Sequence, residues 1–543
     1  VGKNKVEWWK TAIIYQIYPL SFMDSNSDGI GDLQGIISKL SYLKNLGIDV
    51  IWLSPVYQSP MDDNGYDISD YLKIDPIFGT MKDMQELIKQ THDFGMKIIM
   101  DLVVNHTSDE HPWFKFAKES KNSPYRDFYI WNDQPNEIDS VFGGSAWTYE
   151  GQSEQYYFHL FSHKQPDLNW QNKKLREEIY RIINWWLDQG IDGFRLDVID
   201  LIGKDVKSKM LSDGPFLIEY LNELNQNCFA NRDVMTVGEM PGLSIERAAE
   251  ITAGEHPLLN MVFQFTHISL DEMPNLGKWA LKKLDLTELK QVFNKMQHLM
   301  YRNGWNSLFL ANHDQPRAVS RFGDINYRLE SSKMLYTMLY GMQGTPYVYQ
   351  GEEIGMTGID FEINQYRDLE TLNIYEILSK KKLSHDEIMK SIHMKSRDNS
   401  RTPFQWDDQP YAGFSKSKPW IDVNLNYIEI NAKKDIEDPN GVYLYFKKLF
   451  KLRKSFPVFE NGNFNLIDRN HPSLFIYERK NEKEKLLIVS SFSNLVERID
   501  LSNYRGMKCI ISNQECIELS KDSQFPPFYT AIYYKGSDSS VND

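Results

Sequence analysis

Eight short apolar runs recur between longer segments of helical periodicity, and this alternation limits what the chain can fold into more than any other feature. The runs are AIIYQIYP, VIWLSPV, KIIMDLVVNH, GFRLDVI, VMTVGEM, MVFQF, SLFLANHD and YVYQGEE. Between them, LQGIISKLSYLKNLG sets Ile36, Leu40, Leu43 and Leu46 on one helical face, and KLREEIYRIINWWLDQG does the same with Leu175, Ile179, Ile182 and Trp186. Gly47 and Gly190 follow as left-handed caps would. Strand and helix alternating eight times predict an α/β fold, a (β/α)8 TIM barrel, rather than an open sheet.

The rhythm breaks in two places. Residues 105–171, rich in Pro, Gly and aromatics, interrupt it after the third strand and are expected to form an inserted domain B. A second excursion, about 354–437, follows the eighth strand and is expected to form loops and short helices beside the barrel mouth. From about 459, SLFIYER and KLLIVSSF with turn residues between them predict a small C-terminal antiparallel β-domain. The expected organisation is therefore a barrel over 1–104 and 172–458, an insert over 105–171 and a β-domain over 459–543, with the tail KGSDSSVND disordered.

Charge narrows the partners. Lys and Arg number 61 against 75 Asp and Glu, a net −14 that repels phosphate backbones and anionic lipid heads, so neither nucleic acid nor a membrane is expected as partner. No stretch approaches the roughly 18 apolar residues of a membrane span, and VGKNKVEWWK has no apolar run after its lysines. The three cysteines, Cys228, Cys509 and Cys516, show no CxxC spacing, so neither a disulfide framework nor a zinc ribbon is indicated. A monomer in a reducing, cytoplasmic compartment is the expectation.

In such a barrel the active site lies at the C-terminal ends of the strands. The second run leads into Asp63 and Tyr66, the third ends at Asn105 and His106, the fourth at Arg195 and Asp197, the fifth at Glu239 and the seventh at His313 and Asp314. There is no serine elbow, phosphate loop or histidine metal cluster; three carboxylates on three strand ends point to glycosidic bond cleavage. Arg195 and Asp197 share one strand face, about 7 Å apart along the strand, so Arg195 is expected to hold Asp197 ionised as the attacking group. Glu239 follows the small run TVG, and crowding by the other carboxylates favours its protonated, proton-donating form. Asp24, Asn26, Asp28 and Asp32 in DSNSDGIGD, with glycine at the sixth place, are spaced to wrap oxygens around a hard cation, although position twelve is Gly35 where an EF-hand has glutamate.

DLVVNH, GFRLDVI, TVGEM and NHDQPR, in this order and at these spacings, resemble the four signature blocks of glycoside hydrolase family 13, the α-amylase family. Within it the chain is most similar to the oligo-1,6-glucosidase and dextran glucosidase group, through SPMDDNGYDISDY, FGGSAW, KQPDLNW, GEMPG, YQGEEIGMT and SRDNSRTPFQW. The resemblance implies retaining cleavage of α-glucosides in oligosaccharides, with Asp197 as nucleophile, Glu239 as acid/base and Asp314 gripping sugar hydroxyls. It implies that His106, Arg195 and His313 line the same subsite, that Tyr66 stacks on the sugar, and that Asp63 with Arg397 closes the pocket behind one terminal glucose. Arg401 is the alternative for that last role. Lys278 and Glu370 match contacts to the leaving sugar, and Val198, after the nucleophile, goes with α-1,6 rather than α-1,4 linkages. A structural Ca²⁺ is implied at 24–32, with the Ile30 carbonyl as a further ligand, and no catalytic cofactor.

Three other activities resemble this pattern. Catalytically inactive transporter subunits carry a membrane helix and lack the full carboxylate set, which this chain has. Sucrose isomerases carry an arginine-rich RLDRD loop where this chain reads ISLDE at 268–272, and trehalose-6-phosphate hydrolases typically read TQADLNW in place of KQPDLNW.

Overall fold

The computed structural model describes residues 7–536 apart from 275. All eight expected runs form parallel strands: β1 Ile14–Ile17, β2 Val50–Leu53, β3 Lys97–Leu102, β4 Gly193–Leu196, β5 Met235–Glu239, β6 Met261–Phe263, β7 Ser307–Leu308 and β8 Thr345–Tyr349. Their order in the sheet is β6-β5-β4-β3-β2-β1-β8-β7, and a parallel bridge between Val262 and Asn306 closes it into a barrel.

Period two in each strand sorts the core into two shells. Ile14, Val50, Trp52, Ile99, Met235, Val237, Met261 and Tyr347 pack together inside the barrel. Their neighbours Ile13, Tyr15, Ile51, Leu53, Ile98, Met100, Phe194 and Leu196 face the surrounding helices. The two helical stripes read from the sequence are buried as expected, with Leu46 and Trp186 fully covered. LQGIISKLSYLKNLG, however, is broken at Lys39 into Leu33–Ser38 and Leu40–Leu46. Gly47 ends the second with φ +103°, the left-handed cap that its Cβ-free backbone allows.

Between β3 and β4 lies a three-stranded antiparallel sheet, Trp131–Asn132, Gln155–Phe158 and Trp147–Glu150. After β8 the chain forms Leu369–Lys380 and His385–Lys395, longer helices than expected for this stretch, and then the short Asp398–Arg401. A five-stranded antiparallel sheet ends the fold, with SLFIYER and KLLIVSSF supplying Leu474–Lys480 and Glu484–Ser491. Lys535 and Gly536, assigned above to a disordered tail, close its strand Thr530–Gly536, and 537–543 lie outside the described residues.

The cysteine reading is corrected here: Cys509 and Cys516 form a disulfide across the loop after Lys508–Ser512, while Cys228 is a buried free thiol. The pair is seven residues apart, a spacing that follows no short motif, and the bond removes the thiol-based ground for a reducing compartment. Among the described residues no helix is long and apolar enough to cross a membrane.

Candidate active site

The same alternation that fills the barrel with apolar side chains places polar ones at the C-terminal ends of its inner face. Asp101 on β3 stands in register with Arg195 on β4, and Arg195 is fully buried. Its Nη1 lies 2.5 Å from Asp101 Oδ1 and 2.7 Å from Asp197 Oδ1, and its Nη2 lies 2.7 Å from Glu239 Oε2. One guanidinium thus serves three carboxylates. Asp101 is fixed in turn by Trp52 Nε1 at 2.8 Å and the Tyr66 hydroxyl at 3.2 Å.

The expected effect of Arg195 on Asp197 holds only as one contribution. Burial pushes the Asp197 carboxyl well above the usual carboxylate range, against the lowering by Arg195, and Glu239, Asp101 and Asp314 push it the same way as burial. With one cation shared among three acids, the cluster retains a proton more readily than an isolated Arg–Asp pair would. Val198, the next residue, is held at φ 37° and ψ 42°, a left-handed conformation that a β-branched side chain strongly disfavours. Its amide N–H donates to Glu239 Oε2 at 3.2 Å, so the strained turn also positions the second carboxyl.

Across the mouth, His313 Nδ1 accepts from Gln16 Nε2 at 2.8 Å and Nε2 lies 3.0 Å from Asp314 Oδ2. Burial alone would raise the Asp314 carboxyl; His313, Arg397 and Arg401 outweigh it and hold it well below the usual range. Tyr66 lies face to face with His313, ring centres 5.0 Å apart. His106 Nε2 is 3.1 Å from the Tyr66 carbonyl.

Arg397, rather than Arg401, reaches Asp63: its Nη2 donates to Asp63 Oδ1 at 3.0 Å, and its Nη1 is 3.4 Å from Asp314 Oδ1. Arg401 sits behind, with Nη2 2.7 Å from Asp314 Oδ1 and Nε on the His313 carbonyl. Lys278 Nζ is 2.5 Å from Glu370 Oε2, which is also 3.6 Å from Arg397 Nε. The sugar-site residues read from the sequence therefore form one connected network.

Four members of that network were not singled out by sequence. Asp101 opens the DLVVNH block. Gln165, in KQPDLNW, donates from Nε2 to Asp63 Oδ2 at 3.0 Å and lies 3.3 Å from His106 Nε2. Phe142, in FGGSAW, packs its ring 5.0 Å from the Arg397 guanidinium. Asp368 takes Arg397 from the far side, with Nε at 3.0 Å and Nη2 at 2.5 Å from its Oδ1. The first three lie in stretches whose pattern was recognised without each residue's role; nothing local marks Asp368.

The 24–32 loop lies apart from this cluster, against residues 414–420: Ser415 Oγ donates to Asp24 Oδ2 and Trp420 N–H to the Gly29 carbonyl. Asp24 accepts the N–H groups of Asn26, Ser27 and Gly29, and Asp28 accepts that of Ile30. Asp32 caps the following helix through Gly35 N–H and takes Ser25. These partners are amides and hydroxyls, none of the ion pairs among the described residues involves the three carboxylates, and the all-oxygen donor set suits a hard ion. Among the described residues no three His, Cys, Asp or Glu side chains are gathered as a ready metal set, so these side chains would have to draw together around one.

Residues 16–462 match the family pattern described as "Alpha amylase, catalytic domain". The chain is 52% identical over 508 residues to an oligo-1,6-glucosidase of Halalkalibacterium halodurans, covering 90% of each chain. It also resembles the crystal structure of a trehalose-6-phosphate hydrolase of Bacillus licheniformis, at 46% identity and TM-score 0.93 over 97% of this chain and 99% of that one. An isomaltulose synthase of Klebsiella sp. LX3 superposes at TM-score 0.94 with 39% identity, over 97% of this chain and 99% of that one. Barrel, carboxylates and these likenesses agree: the chain belongs to the α-amylase family and is a glycoside hydrolase of α-glucosidase type.

Proposed function

We propose that the chain is a retaining, exo-acting α-glucosidase that hydrolyses α-1,6 bonds at the non-reducing end of isomalto-oligosaccharides. In this reading the carboxylate form of Asp197 attacks the anomeric carbon while Glu239 gives its proton to the leaving oxygen. A covalent glucosyl–Asp197 intermediate forms, and Glu239, now a base, takes a proton from the water that cleaves it. Contact of both carboxyls with one guanidinium keeps them close together, which supports retention over inversion. Asp314 would hold sugar hydroxyls as charge develops. The reading rests above all on Arg397, whose contacts to Asp63 and Asp314 join the residues assigned to the terminal glucose to the carboxylates assigned to the reaction.

Linkage choice is assigned to Val198, Lys278 and Glu370. A branched side chain beside the leaving-group subsite crowds a 4-linked ring, while a 6-linked sugar reaches past it on an extra CH₂. Isomaltose and isomaltotriose should be cut at least about tenfold more efficiently than maltose, about 1.4 kcal/mol in transition-state binding, and Val198→Ala should narrow the gap. Steady-state rates on these sugars, sucrose and trehalose 6-phosphate test the assignment, which is lost if maltose or the phosphorylated sugar is preferred. The Lys278 charge is already met by Glu370, which argues against a phosphate-binding role.

We further propose that Asp24, Asn26, Asp28, Asp32 and the Ile30 carbonyl hold a structural Ca²⁺. An ion bound only by the native state stabilises it by mass action, so chelation should lower the melting temperature and Asp28→Ala should abolish the difference. Identical melting of metal-free and Ca²⁺-loaded protein would leave the loop as a hydrogen-bonded turn.

A further inference from the structure

Arg397 comes from the segment after β8, and nothing in the barrel itself aims it. Its guanidinium could satisfy itself on any of four carboxylates, since Asp63, Asp314, Asp368 and Glu370 all lie within 3.6 Å of it. The four are not equivalent. Asp63 and Asp314 lie at the proposed sugar site and Glu370 is shared with Lys278, whereas Asp368 is fully buried behind the guanidinium.

Asp368 is also the most firmly held of them. Its Oδ2 accepts the Thr371 N–H at 3.2 Å and the Thr371 hydroxyl at 2.8 Å, as the N-cap of Leu369–Lys380, which leaves Oδ1 for Arg397. The backbone around it is tied to the segment carrying Arg397. Asp398 Oδ2 accepts the N–H groups of Arg367 and Asp368 at 2.7 and 2.9 Å, and the hydroxyls of Thr371 and Ser396 lie 2.7 Å apart. Helix start and arginine are thus locked as one unit.

The same helix reaches the domain B side of the pocket. Asn373 Nδ2 donates to the Phe142 carbonyl at 3.3 Å, and Gly143, at φ +93°, lies so close to Ile377 that a Cβ there would come within 2.5 Å of its Cδ1. Phe142 in turn covers one face of the guanidinium. Arg397 is held from behind by Asp368 and flanked by a ring that the same helix anchors.

We propose that Asp368 is a positioning residue: acting through Arg397, it fixes the guanidinium toward the hydroxyls of the terminal sugar and so sets how strictly the enzyme recognises a free non-reducing end. This rests on the terminal-sugar reading given above. Two opposing tendencies act on the carboxyl: burial would raise its pKa, and Arg397, with Arg401 and Lys278 adding, outweighs burial and keeps it ionised. A charged, immobile anchor holds the arginine without competing for the sugar, because none of its oxygens is free to bind one. Without that charge, Arg397 would shift its contacts toward Asp314 and Asp63, the groups that are to bind substrate.

Asp368→Asn tests this, because asparagine remains a good helix cap while losing the charge opposite Arg397. The readout is kcat/KM on 4-nitrophenyl α-D-glucopyranoside and on its 4-deoxy analogue, with KM and kcat resolved for each. The unmodified enzyme should favour the parent sugar by about a hundredfold or more, as a site built to bond a hydroxyl does. Asp368→Asn should lower the parent rate far more than the 4-deoxy rate, bringing the ratio below about tenfold. A purely structural weakening lowers both rates together and keeps the ratio, and that result overturns the proposal. Thr371→Val, which removes the hydroxyl that ties both Asp368 Oδ2 and Ser396, is the second variant should the first fold poorly; a ratio narrowed about threefold supports the proposal and an unchanged ratio overturns it. If the unmodified enzyme does not distinguish the two sugars, the terminal-sugar reading itself fails and the proposal with it.

Discussion

Asp197→Asn should lower kcat by roughly four orders of magnitude or more, with an unchanged circular dichroism spectrum, because the proposed covalent intermediate forms on this carboxylate. Glu239→Gln should cost a comparable factor on sugars with a poor leaving group and less on 4-nitrophenyl glucoside, whose phenolate needs little protonation. Product stereochemistry checks the same arrangement. Freshly released glucose should be the α anomer by NMR, since attack on one face by carboxylate and then by water returns the original configuration. An initial burst of β-glucose would rule out the retaining assignment.

Arg195→Met should be nearly as damaging, and through a different route. The guanidinium is the shared counter-ion of Asp101, Asp197 and Glu239 at 2.5 to 2.7 Å, so its loss leaves buried carboxylates facing one another. Breaking a buried ion pair from one side costs about 3–5 kcal/mol, and here three partners are abandoned together. The sign with pH follows from the direction of the Asp197 shift. Burial already raises that carboxyl and Arg195 opposes it, so removing the arginine raises it further. The acid limb of the kcat/KM profile should therefore move to higher pH. Stability should recover as pH falls and the cluster takes up protons, the reverse of what an intact Arg–Asp pair does. A variant with wild-type melting behaviour and an unmoved acid limb would show that the three acids are compensated by something else.

The barrel was legible because period two and period 3.6 are written in separate stretches of the chain, and all eight runs became strands. Local sequence overran at the ends: SLFLANHD yields only Ser307–Leu308, since the rest leaves the sheet to deliver His313 and Asp314. Residues at strand ends were readable for the same reason that they are useful, being polar groups in apolar company. Asp368 was not, because its partner Arg397 is 29 residues away and the two meet only when the post-barrel segment folds. The lowering of Asp197 by Arg195 was legible because pairing can be read along a strand; the opposing push of burial was not, because it depends on the whole barrel. The cysteines failed alike: Cys509 and Cys516 meet across a loop that no spacing rule announces.

Val198, held left-handed beside Asp197, has a consequence for anyone evolving this protein. Glycine or asparagine would occupy that backbone conformation with less strain, so a screen scored only on survival of heating would reward them at position 198. The heat-resistant winners would then lose the branched side chain assigned above to linkage choice. A library meant to keep discrimination while gaining robustness should hold this residue fixed and look for its gains elsewhere in the molecule.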